Sequence, residues 1–242
     1  MAVSIDRVYQ KVLAFANKEQ RGYITPQEFN LFADQAQMEI LEQYFYDINQ
    51  WSRQHGNDTE YSDMLNLLDE KLGVLKKVMD FTPIDGFISR TSTGFDDIYK
   101  IGSLFTNLKV YSKISPPQVE IEEVNANELL YINLGPLTQP TASRPIYISR
   151  TDGLYIYPAP ELDLKVHITY TKTPTSPNWN YVVVNDKALY NSTASTDFEL
   201  HASEESELVY RILAYAGIAI EKPQLTQMAA GFEQAKVQQE KK

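Results

Sequence analysis

An α+β fold is predicted from this sequence: a mainly helical bundle, made of three N-terminal helices plus C-terminal helices, carrying an inserted β-rich lobe. Three observations lead to it. Apolar residues recur at three- and four-residue steps through the first part of the chain, as in helices with one buried face. From Pro83 onward, ten of the twelve prolines crowd into a stretch where apolar residues alternate instead. Helical spacing then returns near residue 200. The bundle is accordingly assigned to residues 1–82 and 200–242, and the β-rich insertion to residues 83–199.

The first helix follows from Ile5, Val8, Val12 and Phe15, which share one face. Residues 17–29, which come next, support two incompatible readings. Their spacing imitates an EF-hand calcium loop, with Asn17, Glu19 and Arg21 at the first, third and fifth places, Gly22 at the sixth and Glu28 at the twelfth. The chemistry opposes it: a neutral amide and a guanidinium stand where anionic oxygens should hold a hard cation. The other reading is a rigid helix–turn–helix elbow. Gly22 lets the first helix stop in a left-handed turn. Thr25, Pro26 and Glu28 form a capping box, and Ile24 with Phe29 a hydrophobic staple across it. The elbow is preferred, and neither a metal nor a cofactor is expected.

A second helix should run from residue 26 to about residue 53, roughly 40 Å at 1.5 Å per residue. Phe29, Ala33, Ala36, Ile40, Tyr44, Ile48 and Trp51 form its stripe, flanked by Leu31, Met38, Leu41 and Phe45. Apolar surface this broad calls for two neighbours, one of which could be another subunit. After a turn at Gly56-Asn57-Asp58, a third helix is expected from Glu60 to Met79, with Gly73 as a weak point inside it.

Strands are expected at 105–111, 146–149, 154–157 and 165–171, with weaker ones at 118–124 and 181–184. Thr151-Asp152-Gly153 reads as a hairpin turn, Pro158-Ala159-Pro160 as a strand end, and residues 128–132 as one helical turn. Ser203 is expected to cap a largely apolar, enclosed helix through Ile220. Lys222-Pro223 interrupts it, and an amphipathic tail follows with Leu225, Met228, Ala229 and Phe232.

Composition limits the function. The chain has 242 residues, 43% of them hydrophobic, enough for a sizeable core. With no cysteine, disulfides, thiol catalysis and Cys-ligated metals are excluded. No apolar run spans a membrane and the first residues lack a signal-peptide pattern, so a soluble protein made in a cytoplasm is expected. Lys plus Arg number 22 against 32 Asp plus Glu, a net charge of −10. Tight nucleic-acid binding normally needs a basic patch, whereas duplex DNA would pass such an acidic surface without being held.

Candidate catalytic groups are sparse. Asp96-Asp97 and Glu122-Glu123 are adjacent pairs, and neighbours on a strand point to opposite faces, so solvated surface is the expected role. His55, His167 and His201 stand far apart, and no nucleophile elbow, phosphate loop or dinucleotide fingerprint occurs. Sixteen tyrosines suit either interfaces or a β core. No catalytic activity is expected.

Three stretches carry a family resemblance. They are residues 8–30 continuing into 36–42; residues 145–160 with 168–174; and the helix from Glu207 to Ala216 with the Glu221-Lys222-Pro223 break after it. Together they resemble the head-to-tail connector (adaptor or ring) proteins of short-tailed bacteriophages, and most of all those of crAss-like phages. The resemblance implies a virion structural protein that forms a ring, commonly dodecameric, joins the capsid portal to the tail, and lines the passage for DNA ejection. It would be assembled in the host cytoplasm and found in the virion. The implied partners are sister copies, the portal protein, adjacent tail ring proteins and passing duplex DNA. Portal and subunit docking would fall to Met228, Phe232, Val237, Lys241 and Lys242 in the tail. A ring further down the tail is the alternative within this class, and an EF-hand-like calcium-responsive regulator the alternative outside it.

Overall fold

The computed structural model describes residues 3–18, 24–53, 59–92, 94–107, 118–159, 165–185, 187–219 and 231. They divide into two compact units, Met1–Leu75 with Pro174–Lys242, and Lys76–Thr173. The expectation of a mainly helical bundle is overturned. Five helices, counted among the described residues, share the chain with a seven-stranded sheet that builds a hydrophobic core of its own.

In the first unit, α1 (Ile5–Lys18) buries Ile5, Val8, Tyr9, Val12 and Ala16. Phe15, expected in that stripe, is 48% exposed, because Tyr9 and Ala16 turn the buried face away from it. The long helix α2 (Pro26–Arg53) buries Phe29, Ala33, Ala36, Ile40, Leu41 and Tyr44. Its start has the geometry of a capping box. The Thr25 N–H and hydroxyl donate to Glu28 Oε2 at 2.9 and 2.7 Å, and the Glu28 N–H donates to Thr25 Oγ1 at 3.3 Å. Those bonds, the hydroxyl's first, hold the Glu28 carboxyl below the usual carboxylate range.

Helix α3 (Thr59–Gly73) is shorter than expected. It closes at Gly73, where the Leu75 N–H reaches the Leu72 carbonyl at 2.9 Å, and the chain then becomes extended. Helix α5 (Glu205–Ala219) is enclosed as expected, burying Leu208, Val209, Ile212, Leu213 and Ala216. Its approach is capped by His201, which accepts the Ser203 N–H, and not by Ser203 itself.

An extended strap, residues 174–200, crosses these helices. Asn30 brackets Trp179, accepting its N–H at 2.8 Å and donating to its carbonyl at 3.3 Å. Gln37 donates to the Thr175 carbonyl and accepts from the Glu199 N–H. Trp179 is buried against Tyr9, ring centroids 4.2 Å apart, and its indole N–H donates to Asp6 at 3.0 Å. Phe198 and Leu200 close the same core.

Helix α5 is tied to α1 through Glu205, which pairs with Lys11 at 2.7 Å and Arg7 at 3.4 Å. The Lys11 hydrogen bond, outweighing partial burial, keeps the Glu205 carboxyl below its ordinary 4.5. A carboxyl depressed by folding stabilises fully above its unfolded value and ceases to as the pH falls through the folded one. Both basic partners are largely exposed, so the contribution should be only about 0.5 kcal/mol. Urea melts of wild type and Glu205→Gln should differ by that amount near neutral pH and converge as the pH drops below 4.5. A gap that persists in acid would disprove the assignment.

The second unit begins with β1 (Lys76–Phe81), expected as the end of the third helix. It pairs antiparallel with β7 (Val166–Lys172), matching Lys76 to Thr171 and Phe81 to Val166. The sheet also holds β2 (Phe87–Ser89), β3 (Ile98–Asn107), β4 (Gln118–Glu123), β5 (Ile146–Ser149) and β6 (Gly153–Tyr157). The order is β1-β7-β3-β4-β5-β6-β2, and only the β4–β5 pairing is parallel. Phe81 on one edge strand and Ile88 on the other lie in one cluster with Leu104, Ile121, Leu154 and Ile168. A flat sheet could not bring its two edges to one core, so this sheet curls around its inner face. Gly86 makes the turn into β2 with φ 78°, where a Cβ would stand 2.7 Å from the Ile156 carbonyl oxygen.

Candidate interaction surfaces

Among the described residues, which do not include His55, the carboxylates and histidines singled out in the sequence form no acid–base pair at a cleft. Glu122 and Glu123 are exposed on β4, and Asp96-Asp97 sit in the 3-10 turn before β3. Burial, and then the charge of Glu123 with which it hydrogen-bonds, push the Tyr147 phenol well above its ordinary 10. His167 does meet a carboxylate, its Nδ1 lying 2.6 Å from Asp80 Oδ1. If Nδ1 carries the proton given to Asp80, Nε2 is left to accept from the Asn107 amide at 3.3 Å. The ring also lies against Phe105. The imidazole thus links β1, β7 and β3, with an amide where a nucleophile would have to stand. Among the described residues no three His, Asp or Glu side chains converge as a metal site needs.

Of the elbow residues, Ile24, Pro26 and Phe29 are buried and Thr25 and Glu28 bonded to each other. Gly22 lies outside the described residues, as do Met228, Phe232, Val237, Lys241 and Lys242 and the turn at residues 56–58.

Two surfaces that sequence reasoning missed stand out instead. The first is the excursion between β4 and β5. It contains α4 (Leu129–Leu134), a short helix none of whose residues is buried. Leu130, Tyr131, Leu134 and Leu137 are 65%, 73%, 72% and 92% exposed. Helical spacing puts Leu130 and Leu134 on one side with Tyr131 beside them. The segment is nonetheless organised: the Thr138 hydroxyl donates to the carbonyls of Ile132 and Gly135, and the Gln139 amide to that of Asn133. Its backbone is satisfied locally while its apolar side chains have no place in the core.

The second surface is the hairpin of β8 (Tyr181–Val184) and β9 (Lys187–Tyr190) in the helical unit. Asn185, with φ 49°, supplies the left-handed residue a tight hairpin turn requires. Its root is fixed, since Tyr181 and Tyr190 each stack on Trp179 with centroids 5.8 Å apart. Beyond that root Val182, Val183, Val184 and Leu189 are between 46% and 62% exposed. The register pairs Val182 with Leu189, so these two and Val184 share one face.

A common signal marks both surfaces. Residues 129–143 contain no charged side chain, and residues 173–196 contain only Asp186 and Lys187, in a chain that is 22% charged. Exposed apolar side chains in stretches stripped of charge have the composition of interface cores.

Among the described residues no helix is long and apolar enough to cross a membrane. No protein-family model matches this chain, and no curated protein matches it.

Proposed function

We propose that this chain is a virion structural protein that assembles into a ring, dodecameric as in the connectors it resembles, joining the capsid portal to the tail around the passing DNA. The observation that carries this reading is the pair of charge-poor apolar surfaces, one on each unit of an otherwise acidic chain. Copies that each bear a charge of −10 repel one another, and charge-poor apolar surfaces let them meet without adding to that repulsion. Having two different such surfaces supports ring formation, because a closed ring joins one surface of each copy to an unlike surface of the next. The acidic balance suits a conduit: a polyanion sliding past acidic walls releases no counterions and is not retained.

Native mass spectrometry of the full chain, alone and with the portal protein of the same virus, tests the reading. A closed homo-oligomer that adds to the portal is expected. A monomer that ignores the portal at every concentration would overturn it.

A further inference from the structure

Resting on the ring reading above, we infer that the repeating contact of the ring is heterologous: the α4 ridge of one copy packs on the β8–β9 hairpin face of the next. The occupant of each surface is therefore a second copy of this chain.

Three observations argue for the pairing. The two surfaces are unlike in shape and alike in chemistry. Leu130, Leu134 and Tyr131 make a narrow helical ridge, whereas Val182, Val184 and Leu189 line one face of a two-stranded sheet. Helix on sheet is a stable layer arrangement, and among the described residues each element leaves this apolar side uncovered. A two-stranded hairpin is itself marginal until a third element covers it.

Charge is the second observation. With residues 129–143 uncharged and residues 173–196 balanced, this contact is one that chains of net charge −10 can make without bringing like charges together. Area is the third. From their exposures the ridge of Leu130, Tyr131 and Leu134 offers roughly 450 Å² and the hairpin face of Val182, Val184 and Leu189 roughly 270 Å², so joining them buries roughly 700 Å², the larger part of the non-polar share of a standard 1,600 Å² interface.

Aspartate substitutions decide it. Leu134→Asp and Val182→Asp alter exposed side chains, so thermal melts should match wild type. In a heterologous ring either variant alone loses oligomers, seen as a monomer by native mass spectrometry. An equal mixture retains one intact contact, between the Leu134→Asp copy's hairpin and the Val182→Asp copy's α4. The mixture should therefore stop at a heterodimer. Because the natural chain has no cysteine, a second measurement is clean. Under mild oxidation Leu130→Cys and Val182→Cys should cross-link to each other when mixed, and neither to itself.

Homodimers from either single aspartate variant, or self-cross-linking of either cysteine variant, would show like surfaces pairing and overturn the inference while the ring reading stands. So would rings that survive both aspartates. A wild-type chain that is monomeric with and without portal would overturn both.

Discussion

Replacing Lys71 with methionine is expected to destabilise the helical unit by about 3–5 kcal/mol, the cost of leaving a buried charge without its partner. Lys71 Nζ lies 2.9 Å from Glu204 Oε1, with the side chains 5% and 0% exposed. The ammonium also stands over the Tyr44 ring, 5.7 Å from its centroid, and the Ser203 hydroxyl donates to the same carboxylate oxygen. The pair joins the last turn of α3 to the turn that launches α5, so two elements far apart in sequence lose a common anchor. In Lys71→Met the carboxylate must either stay charged in a dry site or take up a proton, and both cost stability. The double variant Lys71→Met, Glu204→Leu removes both charges and should recover to within about 1 kcal/mol of wild type, since buried ion pairs are often replaceable by apolar pairs. Urea denaturation of the four members of the cycle measures it. A single-variant loss below about 1 kcal/mol, or a double variant no better than Lys71→Met, would show that the pair does not carry this role.

Local chemistry was legible in the sequence; partnerships between distant segments were not. Thr25, Pro26 and Glu28 announce a helix start because their bonds span three residues and need nothing else. The buried stripe of α2 from Phe29 to Tyr44 was readable for the same reason. Residues 74–81 were not. Leu72, Leu75 and Met79 fall at helical steps, yet Lys77, Met79 and Phe81 also alternate, so both periods fit. What decides for strand is β7, about ninety residues later, whose backbone groups pair with all of β1. In β3 the register shifts between Ile98 and Lys100 and between Ile101 and Leu104 hide the alternation; residues 98–104 were not expected as strand, and residues 108–111 of the expected strand lie outside the described residues. The mainly helical expectation failed through such omissions, because a sheet whose strands are short, bulged or three residues long shows little of itself in sequence.

The candidate surfaces followed the same division. The uncharged stretch at 129–143 and the nearly uncharged one at 173–196 could be counted in the sequence, but a charge-poor segment with leucine, valine and tyrosine reads equally well as core. Only the fold separates Ile146 and Ile148, which are buried, from Leu130 and Leu134, which are not. The elbow carried the strongest local signal in the chain, and its described residues shape the helical core rather than a binding site.

Truncating Arg211 to alanine should cost about 3 kcal/mol, because it removes a group that ties α5 to two side chains of α2 and at the same time neutralises a neighbour on its own helix. Its Nε and Nη2 both donate to Glu207 Oε1, at 3.0 and 2.7 Å, Nη1 donates to Glu39 Oε2 at 3.1 Å, and Nη2 also reaches Gln43. Glu207, one turn earlier on α5, is buried, and its carboxylate would lose this guanidinium in the truncated variant. Geometry, and not charge alone, is at issue: a planar fork addresses three acceptors on two helices at once, whereas an ammonium is a single point. Arg211→Lys keeps the charge and should recover less than half of the loss. Denaturation midpoints of wild type, Arg211→Lys and Arg211→Ala order the two explanations directly. If lysine restores full stability, a nearby positive charge is all that Glu207 and Glu39 require, and the two-helix clamp is not what holds α5 in place.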